Sequence, residues 1–260
     1  MLSHGNILSS ALSAGATAET VTRSGRLLHA ARMFHLADIG ILAIGLLVGS
    51  THVVVPMFTP AWVAAAVDEH DVTDALLVPT MIQMLADSPD CAGYDLSSFR
   101  RVIYGASPIS QGVLDRARAL LPSAELIQAY GMTELSPIAT MLLPADHDDP
   151  GLARSGGRDG VQVDVRIVDP LGNEVPRDTV GEITVRGDDV MLGYWGKPVE
   201  TAAVLRDDWM HTGDLARMDK SGYVYIVDRL KDMIITGGEN EYPAEVENVL
   251  AKHPAVAMSP

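Results

Sequence analysis

The spacing of apolar residues changes character once along this chain, near residue 150. That change limits the fold more than any other feature. Before it, short apolar runs alternate with helix-length patterns. His52-Val53-Val54-Val55-Pro56 reads as a buried strand, and Thr59-Pro60 opens a helix through Val67, with threonine as cap and proline in the first helical position. Ala75-Leu76-Leu77-Val78 reads as a strand followed by a helix from Met81 to Ala86. Arg101-Val102-Ile103-Tyr104 reads as another, followed by a helix from Gln111 to Leu121. Strands that alternate with helices imply a parallel sheet with crossovers. Pro144 to Gly160 is rich in Asp, Gly and Pro and reads as a linker. Beyond it, Val161-Gln162-Val163-Asp164-Val165-Arg166-Ile167 alternates strictly, Leu171-Gly172-Asn173 reads as a hairpin turn, and Gly181-Glu182-Ile183-Thr184-Val185-Arg186-Gly187 alternates again. Period two marks half-buried antiparallel strands. The fold class is therefore α/β: a parallel-sheet subdomain with flanking helices over residues 1–150, then a small antiparallel β-subdomain over 151–228.

Composition removes several function classes. A net charge of -15 leaves no basic face for nucleic acid or an anionic membrane surface. The single cysteine, Cys91, excludes a disulfide framework and fits a reducing, cytoplasmic setting. The N-terminus has no basic region of the signal-peptide kind. The longest apolar run, Ile39 to Val48, is well short of the roughly 20 residues a spanning helix needs. Its Gly40 and Gly45 suit a buried helix packed closely on a sheet. Ser3 to Ala14 reads as a further helix, with Ser3 as cap and Gly15 as stop.

Candidate chemistry concentrates in Gln128-Ala129-Tyr130-Gly131-Met132-Thr133-Glu134-Leu135-Ser136-Pro137. A strand, Glu125 to Gln128, breaks at a glycine and delivers a hydroxyl and a carboxylate side by side. Ligands sit at strand ends in open α/β sheets. An aromatic ring to stack, a bare backbone, a hydroxyl for phosphate and a carboxylate for Mg2+ together suit a nucleotide. The plain alternative is a helix start, with Thr133 as N-cap and Glu134 in the first turn.

Tyr130-Gly131-Met132-Thr133-Glu134 resembles the YGxTE core motif of the adenylate-forming (AMP-binding) superfamily, which includes acyl-CoA synthetases, firefly luciferase and peptide-synthetase adenylation domains. Further motifs follow in the family's order. Phe34-His35 is similar to the motif bordering the acyl pocket, which makes His35 substrate-binding. Asp38 stands where a small or apolar residue is usual; unpaired burial would be costly, so it either faces solvent or meets a polar partner. Gly105-Ala106-Ser107-Pro108 is similar to the turn that packs on adenine and acyl group. The Thr212-Gly213-Asp214 motif places Asp214 on the ribose hydroxyls, and in Asp228-Arg229-Leu230-Lys231-Asp232 the resemblance gives Arg229 to ribose and phosphate and Lys231 to a hinge. Gly237 and Gly238 resemble the loop that meets coenzyme A. Residues 229–260 then look like the hinge and start of a small α+β C-terminal domain. Motifs from residue 181 to 195 read as architecture.

The branch resembled is that of the acyl-CoA synthetases and fatty-acid–CoA ligases. The implied cofactors and co-substrates are ATP, Mg2+ and coenzyme A. The implied nucleotide set is Gly105, Ala106, Tyr130, Gly131, Met132, Thr133, Asp214, Arg229, Gly237 and Gly238. Thr133, Glu134 and Lys231 are the catalytic candidates, Glu134 also holding the metal; His35, Gly105 and Gly131 border the acid. The implied reaction activates a carboxylic acid, here a fatty acid, to an acyl-adenylate with release of pyrophosphate, then forms acyl-CoA and AMP. In the family, a phosphate loop with its lysine precedes the segment similar to Leu2-Ser3-His4-Gly5-Asn6, and a catalytic lysine lies beyond the final residues here. The resemblance thus implies a fragment with impaired activity and an uncovered apolar face open to homodimerisation. The alternatives are a non-catalytic adenylate-binding fragment or relic, and a peptide-synthetase-type adenylation domain.

Overall fold

The computed structural model describes residues 1–107, 109–232, 234–236, 239–241 and 243, the last short strands by their backbone alone. Helix α1 (His4–Ala18) begins at Ser3, whose hydroxyl accepts the Asn6 N–H while Asn6 reaches back to the Ser3 N–H. The helix continues through Gly15, contrary to expectation, and ends where Glu19 turns left-handed. A lone glycine inside a helix costs only about 1 kcal/mol against alanine, too little to stop a helix with one face on the core.

Seven strands form the first sheet in the order β2-β1-β3-β4-β5-β6-β7: β1 (Arg26–His29), β2 (Thr51–Val54), β3 (Asp74–Leu76), β4 (Arg101–Gly105), β5 (Glu125–Tyr130), β6 (Thr140–Leu142) and β7 (Arg158–Asp159). The pairs from β2 across to β5 are parallel, whereas β6 and β7 add antiparallel, so the expected parallel sheet is mixed at one side. β1 was not anticipated, because two leucines between Arg26 and His29 are too short a run to show a period. The expected buried strand at His52 is the sheet edge, paired among the described residues only on its β1 side, and Val54 is exposed. The expected linker also carries structure: it holds a 3-10 turn (Pro144–Asp148) and β7, and its His147 is buried.

Helices cover both faces. On one, α3 (Pro60–His70), α4 (Pro79–Asp87) and α5 (Gln111–Leu120) pack Val63, Ile82 and Leu114 against Leu28, Val102 and Tyr104. On the other, α1 and α2 (Leu36–Val48) bring Ala14, Ile41 and Ile44 onto Leu27, Ile103 and Ile127. The two glycines of α2 serve close packing as expected: a Cβ on Gly45 would lie 2.8 Å from Leu27, and one on Gly40 would lie 2.9 Å from Pro137. The outer faces of α1 and α2 leave Leu8, Leu12, Leu46 and Leu47 between 47% and 66% exposed.

The second sheet is antiparallel. It comprises β8 (Val163–Val168), β9 (Gly181–Gly187), β10 (Leu205–Arg206), β11 (Trp209–Met218) and β12 (Val224–Arg229), with a short helix α6 (Pro198–Val204) before β10. Its inner residues Val163, Ile183, Val185 and Met210 share a core with Leu135 and Ala139, so the segment after β5 is built into both halves. Asp169 nucleates the hairpin after β8, its carboxylate accepting the N–H groups of Leu171 and Asn173. Strands β13 (Ile234–Thr236) and β14 (Glu239–Glu241) pair as a separate ribbon. Among the described residues no helix is long and apolar enough to cross a membrane.

Candidate active site

Two strand ends of the first sheet come together without side chains between them. Gly105, which ends β4, pairs with Ala129 of β5, and a Cβ there would overlap the Ala129 carbonyl oxygen. A Cβ on Gly131 would overlap the Pro137 carbonyl oxygen. Only glycine lets these backbones approach so closely. Ala106 sits between them in character: it is exposed and left-handed, with φ 67°. That region is strained for a residue with a Cβ, and such strain concentrates at ligand-facing turns.

The loop after β5 forms a 3-10 turn, Thr133–Leu135. Thr133 is not its cap: Met132 holds that position without a side-chain bond, and Thr133 is exposed. The hydroxyl is therefore available to a ligand rather than spent on the turn. Glu134 is half-buried; its Oε1 accepts the Tyr194 hydroxyl at 2.8 Å and its carbonyl accepts the Met191 N–H at 2.8 Å. Burial, then the bond to the Glu134 carboxylate, push the Tyr194 phenol up to about 12. Tyr194 lies in the stretch read from sequence as architecture, yet it touches the metal candidate. No three His, Cys, Asp or Glu side chains cluster as a metal site among the described residues. A single carboxylate still suits Mg2+, which takes most of its ligands from phosphate and water.

The antiparallel half contributes charge. The Tyr130 hydroxyl donates to Asp214 Oδ2 at 2.8 Å, and Arg229 Nε stands 3.6 Å from Asp214 Oδ1. Asp214 and Arg229 are directly opposite each other on β11 and β12. Burial, followed by the Asp214 carboxylate, raises the Tyr130 phenol well above its ordinary range, so the hydroxyl remains a donor. Three residues named from separate motifs, 99 positions apart at the extremes, are thus joined by one hydrogen bond and one ion pair.

Other candidates lie further out. His35 is exposed at the N-terminus of α2, whose Gly40 packs on Pro137 just beyond Glu134. Asp38, on the first turn of the same helix, is buried and bonds His29 Nδ1 at 2.8 Å; His29 Nε2 in turn meets His52 Nδ1 at 2.8 Å. The polar partner is therefore His29, at the end of the unanticipated β1. Lys231 is exposed in a turn after β12. Gly237 and Gly238 lie outside the described residues, as does Pro108 of the expected Gly-Ala-Ser-Pro turn. Cys91 is buried, and burial pushes its thiol up, which makes it a poor nucleophile.

Residues 1–195 match the AMP-binding enzyme family. The chain belongs to that family. Its adenylate-forming fold is the one seen in O-succinylbenzoate coenzyme A synthetase of Bacillus subtilis solved with ATP and magnesium: TM-score 0.87 and 32% identity over 99% of this chain and 52% of that one. Feruloyl-CoA synthase from Amycolatopsis is 42% identical over 98% of this chain and 51% of its own length. The medium/long-chain-fatty-acid–CoA ligase FadD8 of Mycobacterium tuberculosis is 44% identical over 81% of this chain and 36% of its own. This chain of the AMP-binding family thus spans about half the length of the curated relatives it matches, or less. Those relatives include ligases of aromatic as well as fatty acids, so the likeness is not specific to fatty acids.

Proposed function

We propose that these residues form the adenylate-binding part of an ATP-dependent carboxylic acid–CoA ligase. The observation that carries this is the joining of Tyr130, Asp214 and Arg229 across the two halves, beside the bare backbone of Gly105 and Gly131. In this reading adenine lies along Gly105 and Ala106 and stacks on Tyr130. The Asp214 carboxylate accepts both ribose hydroxyls, as acidic residues do in dinucleotide sites. Arg229 offers a guanidinium fork to ribose and phosphate. Thr133 meets phosphate, and Glu134 supplies the protein's carboxylate to Mg2+. When bound, the metal draws negative charge off the phosphates, and the residues here contribute positioning and fixed dipoles. Met132 joins the nucleotide set, and Gly237 and Gly238 approach coenzyme A. Residue 229 onward is the start of a C-terminal domain that turns about Lys231.

The acid binds near Gly105, Gly131 and His35. Because Asp38 is turned onto His29, it does not place a carboxylate against an apolar acid. That favours an apolar acyl group, aryl-propenoic or fatty. ATP–pyrophosphate exchange driven by ferulic acid and by decanoic acid tests the reading. Exchange with either acid that disappears in Asp214→Ala supports a ligase. AMP binding without exchange under any of the acids favours the second reading, a non-catalytic adenylate-binding unit.

A further inference from the structure

Building on that reading, we propose that Glu182 positions Asp214, and that the Glu182–His211 pair is a brace for the nucleotide site. The pairing of β11 with β9 slips between His211 and Leu215: four steps along β11 match two along β9, from Thr184 to Glu182. Two extra residues therefore bulge out of β11, and Asp214 is carried on that bulge. A bulge leaves backbone groups without ladder partners and re-aims the side chains it carries. Here three of those groups find a specific substitute. The Gly213 N–H donates to Glu182 Oε1 at 3.0 Å, and the Gly213 carbonyl accepts the Leu230 N–H at 2.8 Å. The Asp214 N–H donates to the Thr212 hydroxyl at 3.1 Å, which donates to the Ile183 carbonyl at 2.9 Å. The second oxygen of Glu182 holds His211 Nδ1 at 2.7 Å, and that histidine is only 8% exposed.

One carboxylate thus ties the start of the bulge to its middle. Gly213 has φ 73°, and nothing among the described residues lies within 4 Å of where its Cβ would be. Its requirement is conformational, so the turn must be held from outside by hydrogen bonds. Glu182 supplies the bond on one side and Leu230 the other. Leu230 directly precedes Lys231, so the same brace fixes the approach to the segment after β12. Without it, Asp214 would still be present, but the turn that aims it at Tyr130 would lose the bond on the β9 side and keep only those from Thr212 and Leu230. Groups that orient a ligand-facing side chain are commonly worth about tenfold in affinity.

The test combines AMP titration with amide hydrogen exchange on the full 260-residue chain. Glu182→Ala is expected to weaken AMP by about tenfold and to speed exchange at Gly213 and Leu230 by a similar factor. Glu182→Gln is expected to retain both within about threefold, because its amide oxygen can accept Gly213 and its NH2 can donate to the other tautomer of His211. Arg186→Ala, on the same strand but paired at the surface with Asp164, serves as the control and should change neither. Glu182→Ala with normal AMP affinity, beside an Asp214→Ala that loses it, overturns the positioning role alone. An Asp214→Ala that binds AMP normally removes the ribose reading and this inference with it. Failure of Glu182→Gln to restore what Glu182→Ala loses also overturns it.

Discussion

The two halves of the molecule build the site in opposite ways. The parallel half contributes absences: Gly105 and Gly131 have no room for a Cβ, so backbone approaches backbone there. The antiparallel half contributes side chains, Asp214 and Arg229, held opposite each other on neighbouring strands. Tyr130 joins the two, rooted in the parallel sheet with its hydroxyl on Asp214. The two halves are therefore vulnerable in different ways. Substitutions in the parallel half should damage the fold itself, whereas those in the antiparallel half should change binding with the fold intact.

The contrast breaks most sharply at Gly131. Gly131→Val must displace the Pro137 carbonyl and should cost several kcal/mol, on the scale of severe overpacking. Its thermal unfolding should fall by about 10 °C or the chain should fail to fold; a variant melting like the parent would show that the close approach is not required. Asp189→Asn should act the other way. Both Asp189 oxygens are buried without a hydrogen-bond partner among the described residues, and burial first, then Asp188, moves its carboxyl from 3.8 to about 6. A raised carboxyl favours the protonated folded state, so stability is fully present at acid pH and is lost as pH rises through about 6. The amide should therefore stabilise by on the order of 2 kcal/mol at pH 7.5 and by almost nothing below the ordinary value of 3.8, near pH 3, checked by melts at both values.

Asp214→Asn keeps the Tyr130 contact as an acceptor but loses charge toward Arg229 and one acceptor for a diol. AMP affinity should fall about tenfold with little change in melting, which separates this half from Gly131. The smallest effect concerns acid. His52 and His147 are both lowered, each chiefly by burial. His147 is held neutral, donating from Nδ1 to the Leu143 carbonyl and accepting the Tyr104 hydroxyl at Nε2. Depressed histidines give stability that is present above their ordinary value near 6.5 and is lost as pH falls below it. His147→Gln should therefore flatten the decline in melting temperature between pH 6.5 and pH 5; an unchanged slope would clear His147 of that role.

How legible these features were follows from the length of the signal. Thr59-Pro60 and the alternation of Gly181 to Gly187 announced their elements because caps and periods are local. Three-residue β6 and four-residue β1 carried no period of their own and took their place from neighbouring strands. Tyr130, Asp214 and Arg229 were individually visible through their motifs. Their contacts were not, since nothing in a sequence states which carboxylate a phenol or a guanidinium will reach. Glu182, Tyr194 and Asp189 lay inside segments that read as scaffold. Their contribution depends on a bulge and on a loop folding back over Glu134, both of them long-range events.

A crystal structure of this chain with AMP tests the adenylate site most directly. Adenine is expected against Gly105 and Ala106 with Tyr130 on its face, and both ribose hydroxyls on the carboxylate of Asp214. AMP bound away from the junction of the two halves, or bound there with Asp214 still turned wholly onto Tyr130 and Arg229 and no ribose contact, would contradict that placement.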